Sequence, residues 1–246
     1  DEKRLLLAKL FVEGAVQNIL RVLKYYRSRG KDIDAQIEAI EAHDLENLKV
    51  KSVNQLMAYE GNIRETYYKS LDCIIGQTDF EFKQRTRQPP NNRLNALISF
   101  GNSLLYTQVL SEIYQTHLDP RIGFLHTTNF RRFTLNLDVA EIFKPILVDR
   151  TIFSLLGRKQ ITKGDFIKEG GGIWLSEKGK RTFLIEWEGR LATTIKHRSL
   201  KREVSYRRLL RLELYKLEKH LMGENQYEPF EAQWYEGVFF VCCFGL

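Results

Sequence analysis

Residues 93–118, RLNALISFGNSLLYTQVLSEIYQTHL, form the segment that most constrains the fold. Their apolar side chains would cover nearly every face of a helix, and charged residues are few. A helix of this kind is buried on all sides in soluble proteins, because any exposed face would place apolar surface in water. The segment therefore predicts a central helix that other helices surround.

Other long segments have helical periodicity. They span residues 4–26, 32–48, 52–75, 139–157, 177–195 and 205–221. Ser52 suits a helix N-cap and Gly76 suits a helix end. Pro145 lies inside the segment 139–157 and should kink that helix or divide it in two. The consecutive prolines at 89–90 and the glycines at 170–172 predict breaks. We therefore predict a mainly α, multi-helix fold.

Size and composition bound the class of protein. The chain has 246 residues, of which 43% are hydrophobic, so it can bury a substantial core. No apolar run approaches the roughly 20 residues that span a bilayer, and no signal segment is recognisable. The cysteines form neither a disulfide framework nor a zinc motif. These features predict a cytoplasmic protein without a membrane segment, with one helical domain over residues 1–234. Residues 235–246 form an atypical apolar tail that suits a strand or an exposed segment.

The positive charge favours a polyanionic partner. The formal net charge is +7 and the pI is near 9.2. Basic residues also cluster; the clusters of interest are Arg85 with Arg87, Arg131 with Arg132, and Lys196, Arg198, Lys201 and Arg202. Any one cluster is more often a solvated face. Several clusters around one acidic group favour a nucleic acid.

Glu60 is the first anomalous acid. It falls inside an apolar stripe of helical spacing that includes Leu56, Ile63 and Tyr67. A buried carboxylate without a partner is costly, so Glu60 requires a cation. The cation could be an arginine or a metal ion. For Glu60 alone, a salt bridge or a position at the edge of the stripe is the commoner explanation.

Asp138, Glu141 and His126 add to this pattern. Asp138 and Glu141 lie three positions apart and share a helix face. Asp138 alone would suit the first turn of a helix, whereas Glu141 lies deeper in the apolar segment. His126 follows a short apolar run, where histidine is more often structural. Two or three carboxylates with one imidazole favour Mg²⁺ or Mn²⁺ over a structural zinc, which normally recruits cysteines.

Four segments carry a family resemblance. They are MAYEGNIRETYY, RTRQPPNNRLNALISFGNSLLY, LDPRIGFLH and LNLDVAEIFKPILVDR. They closely resemble the integrases of CRISPR adaptation, the first-numbered CRISPR-associated proteins, and above all the thermophilic and archaeal-like branch. The resemblance extends from AKLFVEGAVQN to YEPF, nearly the whole chain. Two features differ: the β-rich amino-terminal domain of the family has no counterpart here, and YEGVFFVCCFGL follows the usual end.

The resemblance implies a function and a set of roles. It implies a helical catalytic domain in which Glu60, His126 and Glu141 hold a metal ion, with Asp138 at a second acidic position nearby. It implies DNA as substrate, with prespacer 3′-hydroxyl ends joined to the repeat of a CRISPR array by transesterification. It also implies a small ferredoxin-like adaptation subunit as partner, and a homodimer when the β-rich domain is present.

Two further classes stay open at this point. The chain could be a metal-dependent nuclease that does not integrate, or a non-catalytic DNA-binding assembly subunit whose acids are structural. Arg64 could contact the scissile phosphate or pair with the carboxylates of the site. Arg131, Arg132 and the loop from Lys196 to Arg202 are the preferred candidates for phosphate contacts, which position DNA without reading its sequence.

Overall fold

The computed structural model describes residues 2–43, 50–126, 132–197 and 200–233. Its α-helices are α1 (Glu2–Arg27), α2 (Asp34–Glu41), α3 (Val53–Lys69), α4 (Leu71–Ile75), α5 (Arg93–Ile113), α6 (Leu135–Phe143), α7 (Arg150–Gly157), α8 (Glu177–Ala192) and α9 (Tyr206–Leu221). A π-helical segment, Lys144–Asp149, joins α6 to α7. Short 3₁₀ helices span Thr78–Phe80 and Lys163–Asp165. The strands are β1 (Phe166–Glu169), β2 (Gly172–Leu175), β3 (Thr194–Lys196) and β4 (Glu203–Ser205). The predicted mainly α fold is confirmed.

Helix α5 occupies the centre, as its apolar composition predicts. It packs against α6, the π-helical segment, α9 and β2. The long helix α1 packs against α2, α3, α6 and the π-helical segment. Helices α3 and α6, which carry the acids of interest, are thus both held by α1.

The predicted helix 52–75 is interrupted at Ser70. Ser52 caps α3 through its side chain, which accepts a hydrogen bond from the Gln55 backbone, as expected. The buried Ser70 hydroxyl donates to the Tyr67 carbonyl at 2.6 Å. This bond competes with the helical pattern, and the chain continues as the separate helix α4. Helix α4 ends at Gly76, whose φ of 64° is left-handed.

Pro145 divides the segment 139–157, as predicted, but through a π-helical segment. Proline has no N–H to donate, so the regular α-helical pattern cannot continue through it. Asn18 of α1 supports this place. Its side-chain amide donates to the carbonyls of Ile142 and Phe230 at 2.9 Å each and accepts from the Ala232 backbone. The end of α6 is therefore tied both to α1 and to the carboxyl-terminal segment.

Two antiparallel hairpins were not predicted. Strands β1 and β2 pair through a turn at Gly170 and Gly171, both with positive φ, which confirms the turn but adds the strands. Strands β3 and β4 pair across the basic loop. The prediction of a helix over residues 177–195 was wrong at its carboxyl end. Helix α8 ends at Ala192, and the β-branched residues Thr194 and Ile195 belong to β3.

The described carboxyl-terminal segment packs against α6 and α9. Tyr227 Oη donates to the buried carboxylate of Glu213 at 2.6 Å, and the Phe230 backbone donates to the same carboxylate at 2.9 Å. The Phe230 ring stacks on Phe143 of α6 with centroids 5.3 Å apart. The predicted tail at 235–246 lies outside the described residues. No helix in the described part of the chain is both long and apolar enough for a membrane crossing.

Candidate functional site

The candidate site lies where α3, α6 and the loop before α6 meet. Helix α3 supplies Glu60 and Arg64, one turn apart. Helix α6 supplies Asp138 and Glu141. His126 is the last described residue of the preceding loop. The site is therefore assembled from chain segments that are distant in sequence.

Arg64 joins the two glutamates. Its Nε donates to Glu60 Oε1 at 2.6 Å, and its Nη2 donates to Glu141 Oε2 at 2.6 Å. The Arg64 residue is only 8% exposed and Glu141 only 5%. Of the two roles considered for Arg64, pairing with the carboxylates is the one observed. Glu60 and Glu141 thus approach one positive charge from two separate helices.

Lys144 completes the charge balance, and sequence analysis missed it. Its ammonium donates to Glu141 Oε1, the carboxylate oxygen that Arg64 does not contact. The same ammonium lies 5.1 Å from the centre of the Tyr106 ring. The available signal was its position three residues after Glu141, a spacing that shares a helix face, inside an otherwise apolar segment.

Asp138 organises the loop that carries His126. Its fully buried carboxylate accepts hydrogen bonds from the backbone N–H groups of Phe124, Leu125 and His126. Asp138 Oδ1 also lies 2.7 Å from Nδ1 of the His126 ring. This contact fixes the orientation of the imidazole. The Asp138 carboxylate therefore holds the backbone of the loop that precedes α6. Its position in the first turn of α6 does not by itself predict this role.

Electrostatics keep Glu141 ionised despite its burial. Burial alone would raise the pKa of this carboxyl group. Attraction to Lys144, Arg64 and His126 outweighs burial and lowers the pKa from 4.5 to about 2. Burial likewise disfavours the charge of Lys144, but the Glu141 carboxylate raises the pKa of Lys144 above its usual value. Glu141, Arg64 and Lys144 therefore act on one another as a single charged cluster.

Asp149 lies at the end of the π-helical segment and, unlike Glu141, has a raised pKa. Tyr67 Oη donates to Asp149 Oδ2 at 2.9 Å, and both residues are buried. Burial raises the pKa of Asp149 from 3.8 to about 6. The hydrogen bond from Tyr67 and the more distant cations Arg64, Lys144 and Arg85 lower it only in part.

The donor chemistry fits a divalent cation. Glu60 and Glu141 direct carboxylate oxygens at one cationic group, and His126 is close enough to act on the charge of Glu141. Carboxylate oxygen with one imidazole nitrogen suits Mg²⁺ or Mn²⁺. In the arrangement observed, however, the described residues contain no group of three or more His, Cys, Asp or Glu side chains spaced to hold a metal ion. Arg64 and Lys144 take up the carboxylate oxygens instead.

The predicted DNA-contacting residues have different surroundings. Arg85 is half-buried and donates to Asn95 Oδ1 and Ser99 Oγ at 3.0 Å each, whereas Arg87 is exposed. Arg132 is exposed beside the Phe133 ring. The β3–β4 hairpin presents the exposed side chains of Lys196, Lys201 and Arg202. Arg131 and Arg198 lie outside the described residues.

The amino-acid sequence is similar to those of known proteins of one family. A protein of Thermodesulfovibrio yellowstonii named CRISPR-associated endonuclease Cas1 2 is 56% identical over 232 residues, which cover 94% of this chain and 70% of that protein. The sequence model of the family described as CRISPR associated protein Cas1 matches residues 1–189. The chain belongs to the Cas1 family, the endonucleases and integrases of CRISPR adaptation. DNA binding and dependence on a divalent metal are typical of that family.

Solved structures share the fold. A Cas1 protein from Thermotoga maritima is similar with a TM-score of 0.79 and 44% identity, covering 94% of this chain and 70% of that one. A casposase bound to integration product has a TM-score of 0.81 at 23% identity, covering 94% and 65%. A Cas6-RT-Cas1–Cas2 complex contains a chain with a TM-score of 0.80 at 19% identity, covering 92% and 25%. The last two structures are less than 25% identical to this chain, so they show a similarity of fold alone.

Proposed function

We propose that this chain is the catalytic region of a metal-dependent DNA integrase of CRISPR adaptation, with residues 1–234 as its domain. The reaction would join the 3′-hydroxyl ends of a prespacer to the repeat of a CRISPR array by transesterification. One observation carries the proposal: Glu60 and Glu141, from separate helices, meet at one buried positive charge, beside a histidine that Asp138 orients. The fold is shared by a casposase whose structure was solved bound to integration product.

Each residue of the centre has a proposed role. Glu60, Glu141 and His126 would hold Mg²⁺ or Mn²⁺, the histidine through Nε2 because Nδ1 is engaged by Asp138. Asp138 keeps the imidazole and its loop in place and is not proposed as a ligand. When bound, the metal ion would make the attacking hydroxyl more acidic and offset negative charge on the phosphorane.

The chain's own cations would act on the DNA. Arg64 and Lys144 place two buried positive charges next to the carboxylates, where a scissile phosphate would need them. Lys196, Lys201 and Arg202 on the β3–β4 hairpin, with Arg132 and Arg87, would contact the backbone further away, and Arg131 and Arg198 belong to the same clusters in sequence. Arg85 instead holds the segment before α5 against that helix, because its guanidinium donates to Asn95 and Ser99 of α5.

The proposed partner is Cas2, the small ferredoxin-like subunit that the resemblance implies. The structure of the Cas6-RT-Cas1–Cas2 complex, which contains a chain of this fold, supports it. Homodimer formation through the β-rich domain of the family is proposed for the protein that carries that domain.

Strand joining tests the proposal directly. DNA with labelled 3′-hydroxyl ends should become covalently joined to repeat DNA in the presence of the protein, Cas2 and Mn²⁺, and a chelator should stop the reaction. The same DNA with 3′-deoxy ends is the matched control and should not be joined, because the nucleophile is missing. Cleavage without a joined product would identify a non-integrating nuclease. Binding of DNA without any strand chemistry would identify an assembly subunit.

The basic hairpin should govern the salt dependence of DNA binding. Replacing Lys196, Lys201 and Arg202 by glutamine should make the negative slope of log affinity against log salt shallower by about 2 to 3, because each duplex phosphate contact contributes about −0.9. Fluorescence anisotropy over a range of salt concentrations measures the slope. The control carries the same charge change at exposed Lys69, Lys83 and Lys163. An equal loss of slope in both variants would mean that only net charge matters.

A further inference from the structure

Arg64 and Lys144 compensate the two glutamates of the centre one for one. Arg64 binds one oxygen of Glu60 and one of Glu141, and Lys144 binds the other oxygen of Glu141. Two carboxylates are thus paired with two cations, and Arg64, Glu141 and Lys144 are all buried. In this arrangement the carboxylates proposed as metal ligands already have positive partners.

We infer that Arg64 and Lys144 are resident cations that leave these carboxylates when a divalent metal binds and then pair with a DNA phosphate. Metal and DNA would consequently bind cooperatively. The inference rests on the proposed metal site and assigns the two cations a second partner, which makes them catalytic residues of the reaction.

Competition for the same carboxylate oxygens supports the first step, in which Arg64 and Lys144 leave the glutamates. An N–H group of Arg64 lies 2.6 Å from the Glu141 oxygen that it contacts, and Lys144 occupies the other oxygen. A metal ligand oxygen must instead lie about 2.0–2.6 Å from the ion. A divalent ion held there would also repel a guanidinium and an ammonium strongly, because burial weakens solvent screening. This repulsion favours withdrawal of both cations from the carboxylates.

The charge count explains where the cations go. Two carboxylates with two cations sum to zero, and a divalent ion raises the sum to two positive charges. A buried charge without a counterion is costly, so the site would then favour an anion. A phosphodiester carries one negative charge, and a phosphorane intermediate carries more. Lys144 also lies over the Tyr106 ring, a contact that can stabilise its charge while it exchanges partners.

The measurable consequence is a linkage between two ligands. If metal frees the cations for phosphate, DNA must strengthen metal binding by the same factor by which metal strengthens DNA binding. Metal affinity should be weak for the protein alone, because binding must first displace side chains that make charge-assisted hydrogen bonds.

Mn²⁺ titration followed by electron paramagnetic resonance tests the inference without relying on activity. The wild-type chain and Arg64→Gln are titrated alone and with a short DNA duplex. Arg64→Gln should bind Mn²⁺ roughly tenfold or more tightly than wild type in the absence of DNA, the scale of one lost hydrogen bond to a charged group. The same variant should gain less Mn²⁺ affinity from DNA than wild type does.

Two further variants separate this effect from a loss of structure. Arg211→Gln breaks another arginine–glutamate pair, in which Arg211 Nε lies 2.7 Å from the buried Glu112, and should leave Mn²⁺ affinity unchanged. Arg64→Lys keeps the charge but lacks the fork that reaches both glutamates, and should give an intermediate affinity. Thermal unfolding of each variant checks that it is folded.

The outcomes are distinguishable. If wild type binds Mn²⁺ and both Arg64 variants bind it equally or more weakly, Arg64 is not a competing cation and the inference is wrong. If none of the proteins binds Mn²⁺, with or without DNA, the proposed metal site itself is wrong and the inference falls with it.

Discussion

Glu141→Ala should abolish Mn²⁺ binding and strand joining, whereas Asp138→Asn should leave activity that excess Mn²⁺ partly restores. Glu141 is the buried carboxylate that meets both Arg64 and Lys144, and it is proposed to touch the metal ion. Asp138 instead bonds the His126 ring and three backbone N–H groups. Loss of such an orienting partner typically costs roughly 10- to 100-fold in metal affinity or activity.

Titrating Mn²⁺ against the joining or the reverse reaction of a branched DNA substrate places the variants on one scale. His126→Ala should resemble Glu141→Ala, because both would remove a ligand. Since Glu141→Ala also strands the charges of Arg64 and Lys144, Glu141→Gln supplies a variant of the same shape. An inactive Asp138→Asn at saturating metal, together with an active Glu141→Ala, would require the roles of the two acids to be exchanged.

The sequence predicted those parts of the fold that depend on local pattern. The all-round apolar character of residues 93–118 was sufficient to predict the central helix α5, and Pro145 to predict a division of the following segment. The strands β3 and β4 were not predictable in this way. Each has only three residues, and Thr194 and Ile195 follow a helix without a break in composition, so pairing with β4 decides their conformation.

The charged centre was only half visible in the sequence. Glu60 and Glu141 were recognisable because a carboxylate inside an apolar stripe must have a cationic partner. The partner of Glu60 lay one turn away at Arg64, but the bond from Arg64 to Glu141 spans 77 positions of the chain and depends on how α3 and α6 pack. Periodicity describes which face of a helix is apolar, and it contains no information about which helix lies opposite.

Asp138 illustrates a related limit. An acid in the first turn of a helix has a sufficient local explanation in the helix dipole, which favours negative charge there. The structure shows that its carboxylate also fixes the backbone from Phe124 to His126. That role depends on the path of a loop, which helical periodicity does not describe. Asp149 was missed for the same reason, because its partner Tyr67 comes from a different helix.

Asp149→Asn should stabilise the protein at neutral pH and flatten the pH dependence of its unfolding. The pKa of Asp149 is about 6 in the folded state, where the carboxyl group is buried, and 3.8 in the unfolded chain, where it is not. The folded state therefore holds a proton between these values that the unfolded chain releases, and stability falls as pH rises through this window. Above the window the penalty is complete, at about 3 kcal/mol, since one pKa unit corresponds to 1.36 kcal/mol.

Urea unfolding at about pH 5 and about pH 7.5 measures the effect, because roughly half of the penalty should develop between these two values. Glu141 does not interfere, since its pKa falls from 4.5 to about 2 and its contribution changes only at lower pH. Other groups that titrate cancel when each variant is compared with wild type. Tyr67→Phe is the matched variant: it removes the hydrogen bond that lowers the pKa of Asp149. It should therefore steepen the loss of stability with rising pH, whereas Asp149→Asn should reduce it. Parallel curves for wild type and both variants would show that Asp149 ionises in the folded protein as it does in the unfolded chain.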